Sequence, residues 1–180
     1  MYRFVRAIVS ILASLVAVVT PISGPTPARA QVPICLLGNW QASDIEGTYR
    51  ALFSTIPNYQ IDSVTGGVSL AIQGDGSYTL RYDGFTVSGT SERETFTTSM
   101  DGPVHGQLSE SQPGSIVGSV LDSTVTLTTT FRGNTTTATM PFATQQQGGS
   151  PVDYDCDLGS VTFRLSQQST GQTFSITFTR

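Results

Sequence analysis

The stretch Cys35-Leu36-Leu37-Gly38-Asn39-Trp40 marks the start of the folded part of this 180-residue chain. It holds the only tryptophan and one of the two cysteines. The segments that follow are short, alternate apolar residues with threonine or serine, and are separated by glycine turns, a pattern typical of β-strands. The stretch is therefore predicted to begin the first strand of a small all-β domain, with Trp40 pointing inward.

Residues 1–30 have the organisation of a signal peptide. Arg3 and Arg6 precede an apolar run from Ala7 to Val19. Ala28-Arg29-Ala30 then has the small-x-small form of a signal peptidase site. The run is shorter than the ~20 apolar residues that span a bilayer. Cleavage after Ala30 is predicted.

The predicted mature domain, residues 31–180, is about the size of one domain and would lie outside the cytoplasm. We expect a secreted, periplasmic or cell-envelope protein. The alternative is an uncleaved N-terminal anchor, because Thr20-Pro21-Ile22 could extend the apolar run. That anchor would be the only membrane attachment.

The charge balance argues against some partners. Without the signal peptide, 6 arginines face 13 acidic residues, and the chain has no lysine. Nucleic acids and anionic membrane surfaces require clustered basic residues. We therefore expect neither as a partner.

The two cysteines, Cys35 and Cys156, both belong to the predicted mature domain. In an oxidising compartment the default for such a pair is one disulfide. It would tie the first strand to one near the C-terminus. A reactive or metal-binding thiol is the alternative, but no Cys-x-x-Cys motif or neighbouring histidine supports it.

One helix is predicted, from Asp44 to about Ile56. Ser43 and Glu46 have the spacing of a capping box, with Ser43 as the N-cap. Apolar residues then recur at helical spacing, and Pro57 ends the helix. The apolar face comprises Ile45, Tyr49, Leu52, Phe53 and Ile56.

About ten strands are predicted, with turns at Gly74-Asp75-Gly76, Asp83-Gly84 and Asp101-Gly102-Pro103. The strand segments are Gly38–Ala42, Val68–Ile72, Tyr78–Tyr82, Phe85–Met100, Val104–Glu110, Ile116–Leu121, Val125–Phe131, Thr135–Phe142, Val152–Cys156, Val161–Leu165 and Phe174–Phe178. So many strands in one domain must close or stack to avoid open edges. The predicted fold is an all-β, antiparallel up-and-down β-barrel of about 8–10 strands with one short N-terminal helix. A two-sheet β-sandwich is the alternative.

The order of these motifs resembles small secreted lipocalin-like (calycin-type) β-barrel proteins. Gly38-Asn39-Trp40 is similar to the Gly-x-Trp signature of the first lipocalin strand, and a helix follows it. A hairpin at Gly74–Phe85, the strand Tyr154-Asp155-Cys156 and the ending Phe178-Thr179-Arg180 complete the pattern. The Thr-Asp-Tyr motif and the C-terminal helix of true lipocalins are missing. The resemblance implies a barrel in which Arg180 stacks over Trp40 as a structural plug.

No catalytic residue, metal site or cofactor is predicted. His105, the only histidine, lies near a strand start without a Gly-x-Ser-x-Gly motif, so we expect an exposed strand histidine rather than a base. Glu92 and Glu94 are two residues apart on one predicted strand face. They have the spacing of glycosidase carboxylates, but no cleft is indicated. We therefore do not expect an enzyme.

Two further polar motifs have structural explanations. Asp153, Asp155 and Asp157 would share one strand face and could bind calcium, but a charged outer face that discourages edge pairing is preferred. Asn134-Thr135-Thr136 matches a glycosylation sequon at a predicted hairpin turn.

Binding is the remaining function class. A barrel of this size either packs solid or holds one small ligand. We predict an extracytoplasmic lipocalin-like barrel that carries a small apolar ligand, with the helix as a lid. The alternative is a structural or interaction module of the cell envelope with a solid core. The predicted ligand-binding residues, from the barrel interior and the lid, are Tyr49, Phe53, Tyr78, Tyr82, Phe85, Phe96, Phe131 and Phe163.

Overall fold

The structure is a computed structural model that describes residues 32–53, 58–139, 151–167 and 172–180. The predicted signal peptide lies outside these residues, so its cleavage stays a prediction. Within the described ranges, no helix has the length and hydropathy of a transmembrane segment.

The described chain contains one 3-10 turn, one α-helix and ten β-strands. The 3-10 turn, Ile34–Leu36, precedes β1, and the helix α1, Ile45–Phe53, follows it. The strands are β1 (Gly38–Ser43), β2 (Tyr59–Ile72), β3 (Ser77–Ser91), β4 (Glu94–Gln112), β5 (Ser115–Ser123), β6 (Thr126–Phe131), β7 (Asn134–Thr139), β8 (Val152–Cys156), β9 (Ser160–Gln167) and β10 (Gln172–Thr179).

Eight of these strands close into an antiparallel barrel. Their order is β3-β2-β1-β10-β9-β8-β5-β4, and pairing between β4 and β3 closes the ring. The hairpin β6–β7 continues the sheet from the first half of β4. The predicted all-β barrel with one short helix is therefore confirmed, and the sandwich alternative is not the architecture.

Two predicted turns are wrong, because they fall inside long strands. β3 continues through Asp83-Gly84, and β4 continues through Asp101-Gly102-Pro103. The glycines take positive φ values of 55° at Gly84 and 118° at Gly102, and the Asp101 carboxylate accepts a hydrogen bond of 3.1 Å from the Gly84 N–H. The β3–β4 register shifts between Tyr82 and Phe85. These residues produce a β-bulge, which bends a strand without reversing it.

The reversal between β3 and β4 occurs instead at Glu92-Arg93. Both residues have positive φ, 51° and 72°, as the central residues of a type I′ hairpin turn do. Asparagine and glycine are the usual residues there, so the sequence carries no turn signal at this point. Glu92 therefore lies in a turn. The prediction that it shares a strand face with Glu94 is wrong.

The helix is capped by Asp44 rather than by the predicted Ser43. The Asp44 carboxylate accepts a hydrogen bond of 3.2 Å from the Gly47 N–H, whereas the Ser43 hydroxyl donates to the Thr177 carbonyl at 3.1 Å. Glu46 pairs with Arg50 at 2.7 Å and does not complete a capping box. The predicted helix end at Ile56 lies outside the described residues.

Helix α1 packs in the seam where β2 and β10 separate beyond the end of β1. The Thr48 hydroxyl donates to the Ser175 carbonyl of β10 at 2.9 Å. On the other side, the Arg50 guanidinium donates to the Ile61 and Asp62 carbonyls of β2. The helix therefore bridges two strands of the barrel wall.

The segment from Val32 to Trp40, which we call the plug segment, packs into the buried core of the barrel. Trp40 is 2% exposed and Leu36 is fully buried. The Trp40 indole N–H donates to the Leu36 carbonyl at 2.9 Å. The Arg180 guanidinium lies 4.4 Å from the Trp40 ring and donates to the Leu37 carbonyl at 2.7 Å. The contact between Arg180 and Trp40 that the resemblance implied is thus present.

The predicted disulfide is also present. It joins Cys35 in the 3-10 turn to Cys156 at the end of β8, across 121 positions of sequence. β8 lies three places from β1 in the strand order. The bond therefore ties the plug segment to a part of the barrel wall that β1 does not touch.

The barrel wall has a short seam between β5 and β8. Within the described residues, the pairs formed there are Ser115 with Asp153 and Ile116 with Val152. The Tyr154 hydroxyl adds a hydrogen bond of 3.1 Å to the Glu110 carboxylate on β4.

Candidate functional site

Six aromatic side chains lie in continuous contact between α1 and the inner face of β2, β3 and β4. We call them the aromatic cluster: Tyr49, Phe53, Tyr59, Tyr82, Phe85 and Phe96. Their ring centroids are 5.1 Å apart for Tyr49 and Phe85 and 6.0 Å apart for Tyr82 and Phe85. Phe53, Tyr59 and Phe96 continue the series at 6.0 and 5.9 Å. Such ring contacts stabilise beyond the area they bury.

The bulge in β3 places two members of the cluster on the same face. Tyr82 and Phe85 are three residues apart, so a regular strand would point them to opposite faces. The register shift between them turns both rings inward, and Phe85 is fully buried. The Asp83-Gly84 pair thus shapes the interior.

The structure brings five predicted ligand-binding residues together in the cluster and separates three from it. Tyr59 was missed because this strand was predicted only over Val68–Ile72, so the polar first half of β2 (Tyr59–Ile72) had no assignment. Tyr78 packs where a β-carbon on Gly106 would clash with its ring. Phe131 lies beneath Arg132 at 5.2 Å, and Phe163 packs on Phe178 at 5.9 Å. No contact with a ligand is established for any of these residues, and the assignment stays a prediction.

Three tyrosine hydroxyls, those of Tyr49, Tyr78 and Tyr82, lie in the interior without a partner. Within the described residues, none of them makes a hydrogen bond, and Ser91 Oγ is the one fully enclosed side-chain polar atom without a partner. All three residues are only partly buried, so the described residues do not fully enclose their side chains.

Desolvation at these tyrosines is strong. Burial raises the pKa of Tyr78 and of Tyr82 to about 12. The pKa of Tyr49 lies well above its usual range, first because of burial and second because of the neighbouring Tyr82. Tyr78 acts on Tyr82 in the same way. All three tyrosines therefore stay protonated at neutral pH.

These shifts predict a loss of stability in alkali. Tyrosines of the unfolded chain ionise near pH 10, whereas Tyr78 and Tyr82 keep their protons to about pH 12. Their contribution to the free energy of unfolding is fully present below pH 10. It is lost between pH 10 and 12, by roughly 1.4 kcal/mol per pH unit for each tyrosine. Urea unfolding across this range, with phenolate absorbance followed in parallel, measures it. Tyr78→Phe should reduce the slope; tyrosines that all ionise near pH 10 in the folded protein would contradict the assignment.

Among the described residues, no charged side chain is buried in the barrel interior. The described basic side chains are all exposed: Arg50, Arg81, Arg93, His105, Arg132, Arg164 and Arg180. The acidic side chains of the described residues are also exposed, except Glu94 and Glu110, which are partly buried and contact Arg132 and Tyr154.

The polar motifs noted in the sequence remain apart from the aromatic cluster. His105 is exposed on β4, with its Nδ1 3.0 Å from the Thr79 hydroxyl. Asp155 pairs with Arg164 at 3.3 Å. Asp157 accepts hydrogen bonds from the Gly159 and Ser160 N–H groups, which lower its pKa. The described residues contain no group of three or more histidine, cysteine, aspartate or glutamate side chains that could hold a metal ion.

No family model matches this chain. Searches of curated proteins and of solved structures also found no match. The closed eight-stranded antiparallel barrel is compatible with a calycin-like fold, and its disulfide suggests an oxidising environment.

Proposed function

We propose that the protein is an extracytoplasmic lipocalin-like carrier that holds a small apolar ligand in the barrel interior, beside the aromatic cluster. The observation that carries the proposal is a set of three partly buried interior tyrosines, Tyr49, Tyr78 and Tyr82, whose hydroxyls make no hydrogen bond to the described residues. Buried tyrosine hydroxyls normally find a partner. An interior that exists only to be filled would use phenylalanine at these positions.

The proposed compartment follows from two features. A disulfide such as Cys35–Cys156 persists in oxidising environments, and residues 1–30 have the pattern of a signal peptide. Secretion, or retention in the periplasm or cell envelope, is the setting we propose. In this proposal the protein has no enzymatic activity, cofactor or nucleic-acid partner.

Helix α1 is the proposed entry to the ligand site. It contributes Tyr49 and Phe53 to the aromatic cluster and is held to the barrel wall by the Thr48 and Arg50 hydrogen bonds to strand carbonyls. It covers the gap between β2 and β10, so outward movement of the helix would expose the cluster. We propose that it acts as a lid on the side of the barrel.

One observation favours the alternative of an interaction module with a solid core. The six rings of the aromatic cluster touch one another in series, so the space directly beneath α1 is largely occupied by side chains. A carrier must then hold its ligand at the Tyr82 end of the cluster, next to Tyr78. The experiment below distinguishes the two functions.

Titration of detergent-free protein with a neutral apolar fluorophore tests the carrier. We expect saturable binding at a one-to-one ratio by native mass spectrometry, together with a change in Trp40 emission. Leu80 is partly buried and lies between Tyr78 and Tyr82 on β3, so Leu80→Trp should fill the free space. It should weaken binding by roughly tenfold or more, equivalent to at least about 1.4 kcal/mol.

Leu121→Trp is the matched control, because Leu121 is 57% exposed and gains the same side chain outside the barrel. Its affinity for the fluorophore should equal that of the wild-type protein. Absence of saturable binding to the wild-type protein, with unchanged Trp40 emission, would reject the carrier and favour the solid module.

A further inference from the structure

We propose that the ligand is an electrically neutral lipid-like molecule with a carbonyl oxygen, such as an ester or a ketone, and that Tyr82 donates the hydrogen bond that positions this oxygen. The inference rests on the proposed carrier function and adds the chemical class of its ligand.

The donors come from the interior tyrosines. A phenol O–H can donate one hydrogen bond, and the hydroxyls of Tyr49, Tyr78 and Tyr82 donate none to the described residues. A hydroxyl that a ligand covers without offering an acceptor is left unsatisfied, which is costly. A pure hydrocarbon would leave these donors unsatisfied, whereas a ligand with an oxygen acceptor would satisfy at least one of them.

Tyr82 is the hydroxyl best placed to position the acceptor. Its ring contacts Phe85 at 6.0 Å between centroids, and Tyr49 contacts the same Phe85 ring at 5.1 Å. Tyr82 also lies on the same face of β3 as Tyr78, four residues away. Tyr82 therefore stands between the other two tyrosines in this part of the interior.

The lack of interior charge excludes ionic ligands. The described arginines and His105 are all exposed, so none is buried inside the barrel beside a carboxylate or phosphate. The interior also presents no described carboxylate for an ammonium group, because Glu94 and Glu110 contact Arg132 and Tyr154 instead. An ion without a counter-charge is strongly disfavoured in such surroundings. A neutral headgroup avoids this cost.

Three probes of equal chain length test the inference: a long-chain alkane, the fatty acid and its methyl ester. Each is measured by displacement of the neutral fluorophore from detergent-free wild-type protein. At pH 7 we expect the ester to bind about tenfold more tightly than the fatty acid. As the pH falls below about 5, where carboxyl groups of this kind become protonated, the acid should approach the affinity of the ester. The affinity of the ester should not change, and circular dichroism checks that the barrel remains folded.

Tyr82→Phe identifies the donor, because it removes the hydroxyl and keeps the ring. Loss of one hydrogen bond should weaken ester binding roughly fivefold and leave alkane binding unchanged or tighter. Tyr154→Phe is the matched control, since the Tyr154 hydroxyl bonds to Glu110 at the β5–β8 seam; its ester affinity should equal that of the wild-type protein.

The outcomes separate the two proposals. If neither alkane nor ester displaces the fluorophore, or if the fluorophore itself does not bind, the carrier function fails and this inference fails with it. If the alkane binds but the ester and the ionised acid bind equally well, the inference alone is overturned. An equal loss of alkane and ester affinity in Tyr82→Phe would also overturn it, because the residue would then act only through packing.

Discussion

Replacement of Trp40 by alanine is expected to lower the free energy of unfolding by about 3–5 kcal/mol. The side chain is 2% exposed, so its removal leaves a large cavity in the buried core. It also deprives the Leu36 carbonyl of its indole donor and the Arg180 guanidinium of its aromatic surface. Urea unfolding followed by far-ultraviolet circular dichroism measures the loss, because the variant has no tryptophan fluorescence.

Two further variants serve as comparisons for Trp40→Ala. Trp40→Phe should lose less stability, since the phenyl ring retains part of the packing. Leu121→Ala should change stability by less than about 0.5 kcal/mol, because Leu121 is exposed on β5. If Trp40→Ala kept its stability and instead lost fluorophore binding, Trp40 would belong to the ligand site and not to a plug.

Removal of the disulfide, by replacing both Cys35 and Cys156 with alanine, is expected to cost about 2–5 kcal/mol. The bond closes a loop of 121 positions, and the chain-entropy estimate for a loop of this length is near the upper end of that range. It also holds the plug segment against β8, a strand that β1 does not contact. Urea unfolding of the double variant and the oxidised wild-type protein provides the comparison.

Reduction of the wild-type protein tests whether the lower free energy of unfolding arises from the missing disulfide and not from the alanine substitutions. The reduced protein and the double variant should unfold at nearly the same urea concentration, since both lack the cross-link. If the free energy of unfolding fell by less than about 1 kcal/mol in both the reduced protein and the double variant, strand pairing and Trp40 packing would hold the barrel closed without the disulfide.

The class of fold was predictable because its signals are local. Period-two alternation along β8, β9 and β10 locates strands whose neighbours in the sheet are also neighbours in sequence. The Asp-Gly pairs were misread because the same residues suit a turn and a bulge, and only the paired strand decides between them. The reversal at Glu92-Arg93 has no such marker, since its positive φ angles are imposed by the strands on either side.

The N-cap of the helix also could not be predicted from the local sequence. Ser43 and Asp44 are both good N-cap residues, and the sequence cannot rank them. β1 extends through Ser43, whose hydroxyl donates a hydrogen bond to the Thr177 carbonyl of β10. Asp44 is therefore the residue left to cap the helix. A contact across 134 positions therefore decides a local feature.

The candidate site was only partly predictable. Inward aromatic residues follow from alternation, so Tyr82, Phe85 and Phe96 were expected inside. Their contact with Tyr49 and Phe53 depends on the angle at which α1 crosses the sheet, which no local pattern contains. The unpartnered phenol hydroxyls, on which the proposed ligand chemistry depends, become visible only when every neighbouring acceptor has been placed.

The pairing of β1 with β10 has a consequence for how the protein is made. Arg180 and Leu37 are 143 positions apart, so a chain that emerges from its N-terminus exposes Trp40 until nearly all of it has been synthesised. Folds dominated by such distant contacts form slowly, and unpaired strands exposed meanwhile are prone to aggregation. The first strand to emerge is therefore among the last to be completed, and the yield of folded protein should depend on what shields Trp40 during that interval.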